Sequence, residues 1–311
     1  MKNVLVIGST VVDVIIQVDH LPSSQEDVHV QHQHMSLGGC AYNVSDMIRH
    51  FGVPYTLFSP VGTGAYGDFV RTQLTRRGSS TPIPSPTQEN GCCYCFIEAD
   101  GERTFLSYHG AEYRFEREWF QIPDAASIDA VYICGLEIEE PTGMYIVEYL
   151  EAHPEFRIYF GPGPRISKID PKLLARIYAL HPVMHLNEKE ALAFLDSNSA
   201  VCSENTENLT SSAAAANAFF SHTQNDVIIT LGAKGAYYRT ATSFGYVPGI
   251  AATQVDTIGA GDSHIGAVIA CEQLGKPLPE AIRIANRVAA KVVETSGALL
   301  SEEAFQSVDF D

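Results

Sequence analysis

Residues Val255–Ala267, VDTIGAGDSHIGA, place Gly259, Ala260 and Gly261 just ahead of a stretch, DSHIGAVIACEQLG, that reads as a helix. Such bare backbone lets amide N–H groups converge on one point, and a helix start favours negative charge, so the stretch predicts a phosphate cradle. Asp262 has two readings. It is a favoured residue for capping a helix start, and a carboxylate beside a bound phosphate can take the proton of an attacking hydroxyl. Taken alone, the stretch leaves both open.

Outward from it, short apolar runs recur: NVLVIGS, YTLFSPV, DAVYICG, RIYFGP, VMHLN and DVIITLG. Bounded by Gly, Pro or Asn, they suit a mostly parallel sheet buried on both faces. Helical spacing lies between them, as in AYNVSDMIRHFG, where Val44, Met47, Ile48 and Phe51 share a face and Gly52 marks a stop. The expected architecture is a layered α/β/α domain spanning residues 1–311. Two segments break the rhythm, about 14–37 with its alternating VHVQHQHM, and about 90–115, where CCYCFIEADGERTFLSYHG turns at Asp100-Gly101. Together they read as a small antiparallel sheet inserted into the larger domain, entered through the proline-broken loop GSSTPIPSPTQEN.

The chain has 311 residues, 45% of them hydrophobic, enough for a full core. Lys+Arg is 20 against Asp+Glu 37, and the formal charge of -17 would repel a nucleic-acid backbone. MKNVLVIGSTVVDVII reads as a first strand and not a signal peptide, and no stretch has the length of a membrane span. The seven cysteines, at 40, 92, 93, 95, 134, 202 and 271, are scattered. This is the usage of a reduced, cytoplasmic protein, and the lone Cys92-x-x-Cys95 reads as small apolar strand residues, with no second pair to make a zinc site.

Other stretches carry chemistry. Asp13 follows the first strand, and GGCAYN sets Gly38 and Gly39 before a helix with Asn43 in its first turn. An acceptor beside a group that both donates and accepts suits a polyol, and equally suits a tight turn with a polar helix start. In TLGAKGAYY, Gly232 and Gly235 either make a plain hairpin or let backbone approach a nucleotide, with Lys234 near its phosphates. LNEKEALAF puts Asn187 and Glu190 three apart, a pair that can hold hydrated Mg²⁺ or simply open a helix. GTGAYGDF contains the dinucleotide pattern Gly62-x-Gly64-x-x-Gly67, but the region where its acidic partner belongs is the proline-rich loop containing Glu89.

In order, GGCAYN, PVGTGAYGDFVRTQL, ADGERTFLSYHGA, LNEKE, TLGAKG and DTIGAGD resemble the ribokinase-like, pfkB-type carbohydrate kinases over nearly the whole chain. The resemblance implies a mainly parallel sheet between helices, a β lid over a sugar, and phosphoryl transfer from ATP with Mg²⁺. By position it makes Asp262 the base and Gly259, Ala260 and Gly261 the anion hole. Asp13, Gly38, Gly39, Asn43 and Glu137 would hold the acceptor. Asn187, Thr230, Gly232 and Gly235 would meet the nucleotide, with Asn286 at the adenine and Asn187 with Glu190 at the metal. It also implies a K⁺-type cation beside the anion hole, at Asp256, Ile258, Val292, Thr295, Gly297 and Ser301, and pairing of two copies through the lid.

The chain departs from the family pattern in YFGPGPR, where Gly161 and Gly163 replace polar residues of an Asp-Pro-Asn type, and at Ser263-His264, where a small residue and Phe are common. His264 reads as packing in place of that aromatic. A sugar is the expected acceptor. A nucleoside is the alternative, since Tyr94, Phe96, Phe105 and Tyr108 on the lid strands could stack on a base. A silent sugar-binding regulator and an NAD-dependent oxidoreductase are the rivals from other classes.

Overall fold

A computed structural model describes residues 3–122, 125–197 and 208–310; Cys202 lies outside them. In chain order the strands are β1 (Asn3–Ile7), β2 (Val11–Gln17), β3 (His32–Gly38), β4 (Tyr55–Phe58), β5 (Cys92–Ile97), β6 (Arg103–Tyr108), β7 (Ile128–Cys134), β8 (Arg157–Gly161), β9 (Val183–Asn187), β10 (Val227–Thr230), β11 (Gly235–Arg239) and β12 (Phe244–Pro248). The helices are α1 (Cys40–His50), α2 (Gly64–Arg76), α3 (Gly135–Glu139), α4 (Gly143–Glu151), α5 (Pro171–Ala179), α6 (Glu188–Ser197), α7 (Asn208–Thr223), α8 (Ala260–Gln273), α9 (Leu278–Val293) and α10 (Glu302–Gln306).

Eight strands form the large sheet in the order β12-β11-β10-β9-β8-β7-β1-β4. Its pairs from β4 through β10 are parallel, and β11 and β12 add an antiparallel edge. Alternation along β1 explains the layering. Val4 and Val6 enter one core cluster with α1, α8 and α9, while Leu5 and Ile7 enter the other with α4, α5 and α7. A strand buried on both faces has no polar positions to alternate, which is why these runs read as unbroken apolar stretches.

The second sheet has the order β3-β2-β5-β6, antiparallel except for the β2–β5 pair. It begins at Val11 and not near residue 14, because only Gly8, Ser9 and Thr10 separate β1 from β2. The alternating VHVQHQHM becomes strand only from His32, which pairs with Gln17, the last residue of β2. Without a partner beyond Gln17, residues 28–31 have no ladder to join. Likewise β6 ends at Tyr108 and the chain continues as a short 3-10 turn, Ala111–Tyr113.

Candidate active site

The carboxyl ends of the parallel strands converge on one cleft, as open α/β sheets favour. They bring Gly161 from β8, Asn187 from β9 and Thr230 from β10 to the start of α8. There Gly259 is the N-cap, with φ +73°, and a Cβ on it would lie 2.5 Å from that of Ala298. No side chain caps the helix. The cap reading of Asp262 is therefore corrected: it is the third residue of α8, and although the Ala260 amide donates to the Thr257 carbonyl at 3.4 Å, the amides of Gly261 and Asp262 have no hydrogen-bond acceptor among the described residues. Its carboxylate is turned sideways, accepting a 2.9 Å hydrogen bond from Asn43 Nδ2 of α1. Burial pushes its carboxyl up to about 6, against hydrogen bonds from Asn43 and Cys40 that favour the charged form.

Asp13 stands on β2 toward the same cleft. A Cβ on Gly38 would lie 1.9 Å from Asp13 Oδ2, so only glycine leaves room for that carboxylate. Burial, then the charge of Asp262, raises the Asp13 carboxyl to about 7. Gly39 is the N-cap of α1, and Asn43 Oδ1 is buried without a partner among the described residues. Glu137 is fully buried beneath the cleft. Its Oε1 accepts from the Ser9 amide at 2.8 Å, burial raises its carboxyl to about 6, and its Oε2 has no partner among the described residues.

The lid registers decide which side chains face Asp13. Cys93 pairs with Asp13, Ser107 with Cys93, and Phe105 with Cys95, so these share its face. Tyr94 and Phe96 pair with Val14 and Ile16 on the other face and pack on the core; the Tyr94 hydroxyl meets that of Tyr66 at 3.1 Å. Tyr108 pairs with Cys92 and shares that face, away from Asp13. Of the four lid aromatics proposed to stack on a base, Phe105 alone lies on Asp13's side. Cys92 and Cys95, three apart on a strand, point to opposite faces and cannot chelate one ion.

Two cavities meet here. The larger, about 410 Å³, is bordered by Gly232, Gly235, Ala260, Gly261, His264 and Asn286, among others. The smaller, about 100 Å³, is bordered by Cys40, Gly161, Gly163, His185, Glu190 and Asp262. Asn187, Thr230 and Gly261 border both. Lys234 is exposed and borders neither. Gly62, Gly64 and Gly67 also border neither; Cβ atoms on Gly62 and Gly67 would strike the Gln88 and Gly62 carbonyls, so tight packing accounts for those two positions.

Asn187 and Glu190 form a reciprocal capping box at the start of α6. The Asn187 amide donates to Glu190 Oε2 at 3.0 Å, the Glu190 amide to Asn187 Oδ1 at 2.9 Å, and Asn187 Nδ2 to Glu190 Oε1 at 2.7 Å. Burial, and then Asp262, raises the Glu190 carboxyl. Asn286 Nδ2 donates to the carbonyls of Val247 and Pro248, which leaves Oδ1 to accept from His264 Nε2 at 3.1 Å. Its amide is thus largely engaged within the protein.

The same chain of bonds assigns the histidines. Burial lowers His264 to about 4 and holds His185 well below its usual range, helped by His264, so both are neutral. With Nε2–H donated to Asn286, His264 Nδ1 must accept from His185 Nε2, 2.9 Å away. Reading along the chain did not single out His185, yet its ring borders the smaller cavity beside Gly161 and Gly163. His264 is packed as expected, and it is also hydrogen-bonded on both ring nitrogens.

Of the six residues implied for a monovalent cation, Asp256, Val292 and Ser301 already spend oxygens on hydrogen bonds within the protein. Asp256 Oδ1 accepts from the Ile258 amide at 2.7 Å and from Arg103 Nη1, and Oδ2 from the Gly297 amide at 2.9 Å. The Val292 carbonyl accepts from both the amide and the hydroxyl of Thr295, at 2.9 and 2.8 Å. Ser301 Oγ caps α10, accepting from the Ala304 amide at 3.1 Å.

Among the described residues no helix is long and apolar enough to cross a membrane. A protein of Escherichia coli (strain K12) described as an uncharacterized sugar kinase, YegV, is 32% identical over 296 residues, covering 95% of this chain and 90% of that protein. The ribokinase of Staphylococcus aureus (strain COL) is 26% identical over 315 residues, 99% of each chain. The crystal structure of a ribokinase from Thermotoga maritima shares the fold with a TM-score of 0.84, at 21% identity and 99% coverage of both chains. The family model of the pfkB carbohydrate kinases matches residues 1–304, and this chain belongs to that family.

Proposed function

We propose that this kinase transfers the γ-phosphoryl group of ATP to a primary hydroxyl of a small sugar of the ribose or fructose kind. The observation that carries the reading is the meeting of the two cavities along Asn187, Thr230 and Gly261, with Asp262 on the smaller one. A nucleotide in the larger cavity would extend its phosphates along those three residues toward Asp262. The carboxylate would take the proton of the acceptor hydroxyl as that oxygen attacks in line. The unused amides at Gly261 and Asp262 would stabilise charge on the transferring group, and the lid would exclude water.

Asp13 would accept from acceptor hydroxyls, and Asn43, bonded to Asp262 through Nδ2, would both orient that base and offer Oδ1 to the sugar. Glu190 and Asp262 border one small cavity with carboxyls raised by burial, a setting that fits Mg²⁺ arriving with the nucleotide and held by Asn187 and Glu190 through water. When bound, that ion would offset phosphate charge. Gly161 and Gly163 add no ligand side chain there.

A sugar is favoured over a nucleoside because Tyr94, Phe96 and Tyr108 face away from Asp13. Ribose heads the test panel, given the Staphylococcus aureus relative. Purified protein with ATP and Mg²⁺ is assayed for ADP release on pentoses, hexoses and nucleosides. The expected result is turnover confined to sugars. Turnover on nucleosides alone would overturn the acceptor assignment, and no turnover on any acceptor would favour the silent regulator.

A further inference from the structure

Asp256 joins the two loops that frame the anion hole. Through Oδ1 it holds the Ile258 amide, ahead of α8, and through Oδ2 the Gly297 amide, beyond α9. Between those anchors sits Gly259, pressed against Ala298. A carboxylate with only 6% of its side chain exposed needs a positive partner as well as amides. Its partner comes from the other sheet. Arg103 opens β6, on the lid face that carries Asp13, and its guanidinium, itself 18% exposed, bonds Asp256 Oδ1.

We propose that Arg103 is a positioning residue whose guanidinium stands at Asp256 in place of a monovalent cation, so that lid closure, and not potassium, sets the loop that presents the anion hole. The inference rests on the kinase reading above. What supports it is the place of the contact: Arg103 bonds Asp256 Oδ1 itself, the one carboxylate among the six implied cation ligands, and the Val292 carbonyl and Ser301 hydroxyl also accept hydrogen bonds within the protein. A potassium ion bound to the same carboxylate would also lie against a like charge in a poorly solvated pocket. The arrangement gives the lid a mechanical consequence. When β6 swings away, Asp256 loses its counter-charge and both loops lose their common anchor, so phosphate-binding amides are assembled only over an enclosed acceptor.

The test is thermal unfolding and Mg-ADP titration of the whole chain in potassium chloride and in tetramethylammonium chloride at equal ionic strength. The wild type should unfold at the same temperature and bind ADP equally in both salts, and Arg103→Lys should behave likewise. Arg103→Met should bind ADP about fivefold or more weakly in tetramethylammonium and recover in potassium, as an ion fills the emptied position. A role limited to packing would not produce recovery specific to potassium. A wild type whose ADP affinity rises in potassium overturns the inference, as does an Arg103→Met protein indifferent to the cation. A chain that binds no ADP in either salt overturns the kinase reading and this inference together, whereas ADP binding that needs potassium overturns this inference alone.

Discussion

On one side of Asp262 the larger cavity is walled by backbone and small side chains, Gly232, Gly235, Ala260 and Gly261. On the other, toward the lid, stand Asp13, Asn43, Cys40 and Cys93, brought in by β2, α1 and β5. The difference follows from what each side would hold. A polyphosphate is recognised by converging N–H groups and by room, which glycines and a helix start supply. A hydroxylated acceptor needs donors and acceptors at particular points, which side chains alone provide. On the proposed reading the nucleotide side would be generic, and the acceptor side would carry this kinase's specificity.

The sharpest way to break that comparison is at its shared centre. Asp262→Asn should lower turnover by between about 10² and 10⁴ while leaving the affinity for ADP unchanged. In the wild type, Asp262 accepts a proton only when ionised, and Asp13 beside it ionises near 7, so kcat/KM should fall as pH drops from about 7 through about 6 and be level above both. A profile with no acid limb near that value, or an Asn variant with full turnover, would remove Asp262 from its role. Asp13→Ala probes the acceptor side alone: the acceptor KM should rise about tenfold or more, with ADP affinity unaltered. An equal loss of ADP binding would merge the two sides.

The smallest effect concerns the wall between the cavities. His185 and His264 are neutral and buried, with pKa values below the 6.5 of an unfolded histidine, His264 at about 4. Between those values the unfolded chain binds more protons than the folded one, so the pair's contribution to stability is complete above pH 6.5 and is lost as pH falls toward about 4. Urea unfolding of a His185→Leu, His264→Phe double variant should show a shallower loss of stability on acidification than the wild type. Equal slopes would mean that the pair takes up protons in the fold.

Much of the scaffold was legible along the chain because its causes are local. Apolar runs ending in Gly or Asn became β1, β7, β8, β9 and β10, and the loop-to-helix junction at Gly259 became the start of α8. The lid was legible as a second sheet but not in its limits, since a strand such as β3 extends only as far as its partner allows. The departures Gly161, Gly163 and His264 could be seen singly. That His264 shares hydrogen bonds with His185, 79 residues earlier, and with Asn286, 22 residues later, could not.

What the sequence determined by itself was the family, the layered fold and the presence of a bare glycine loop opening a helix with a carboxylate behind it, because each is written in short-range spacing. What only the tertiary structure decided was the meaning of particular side chains. Asp262 is no cap, because Gly259 holds that position. Tyr94 and Phe96 face the core, because register fixes the face of every residue on a strand. Arg103 meets Asp256 across 153 residues of chain, because two sheets close on one another. Contacts of that kind depend on where elements pack, and a linear pattern does not encode the distance between them.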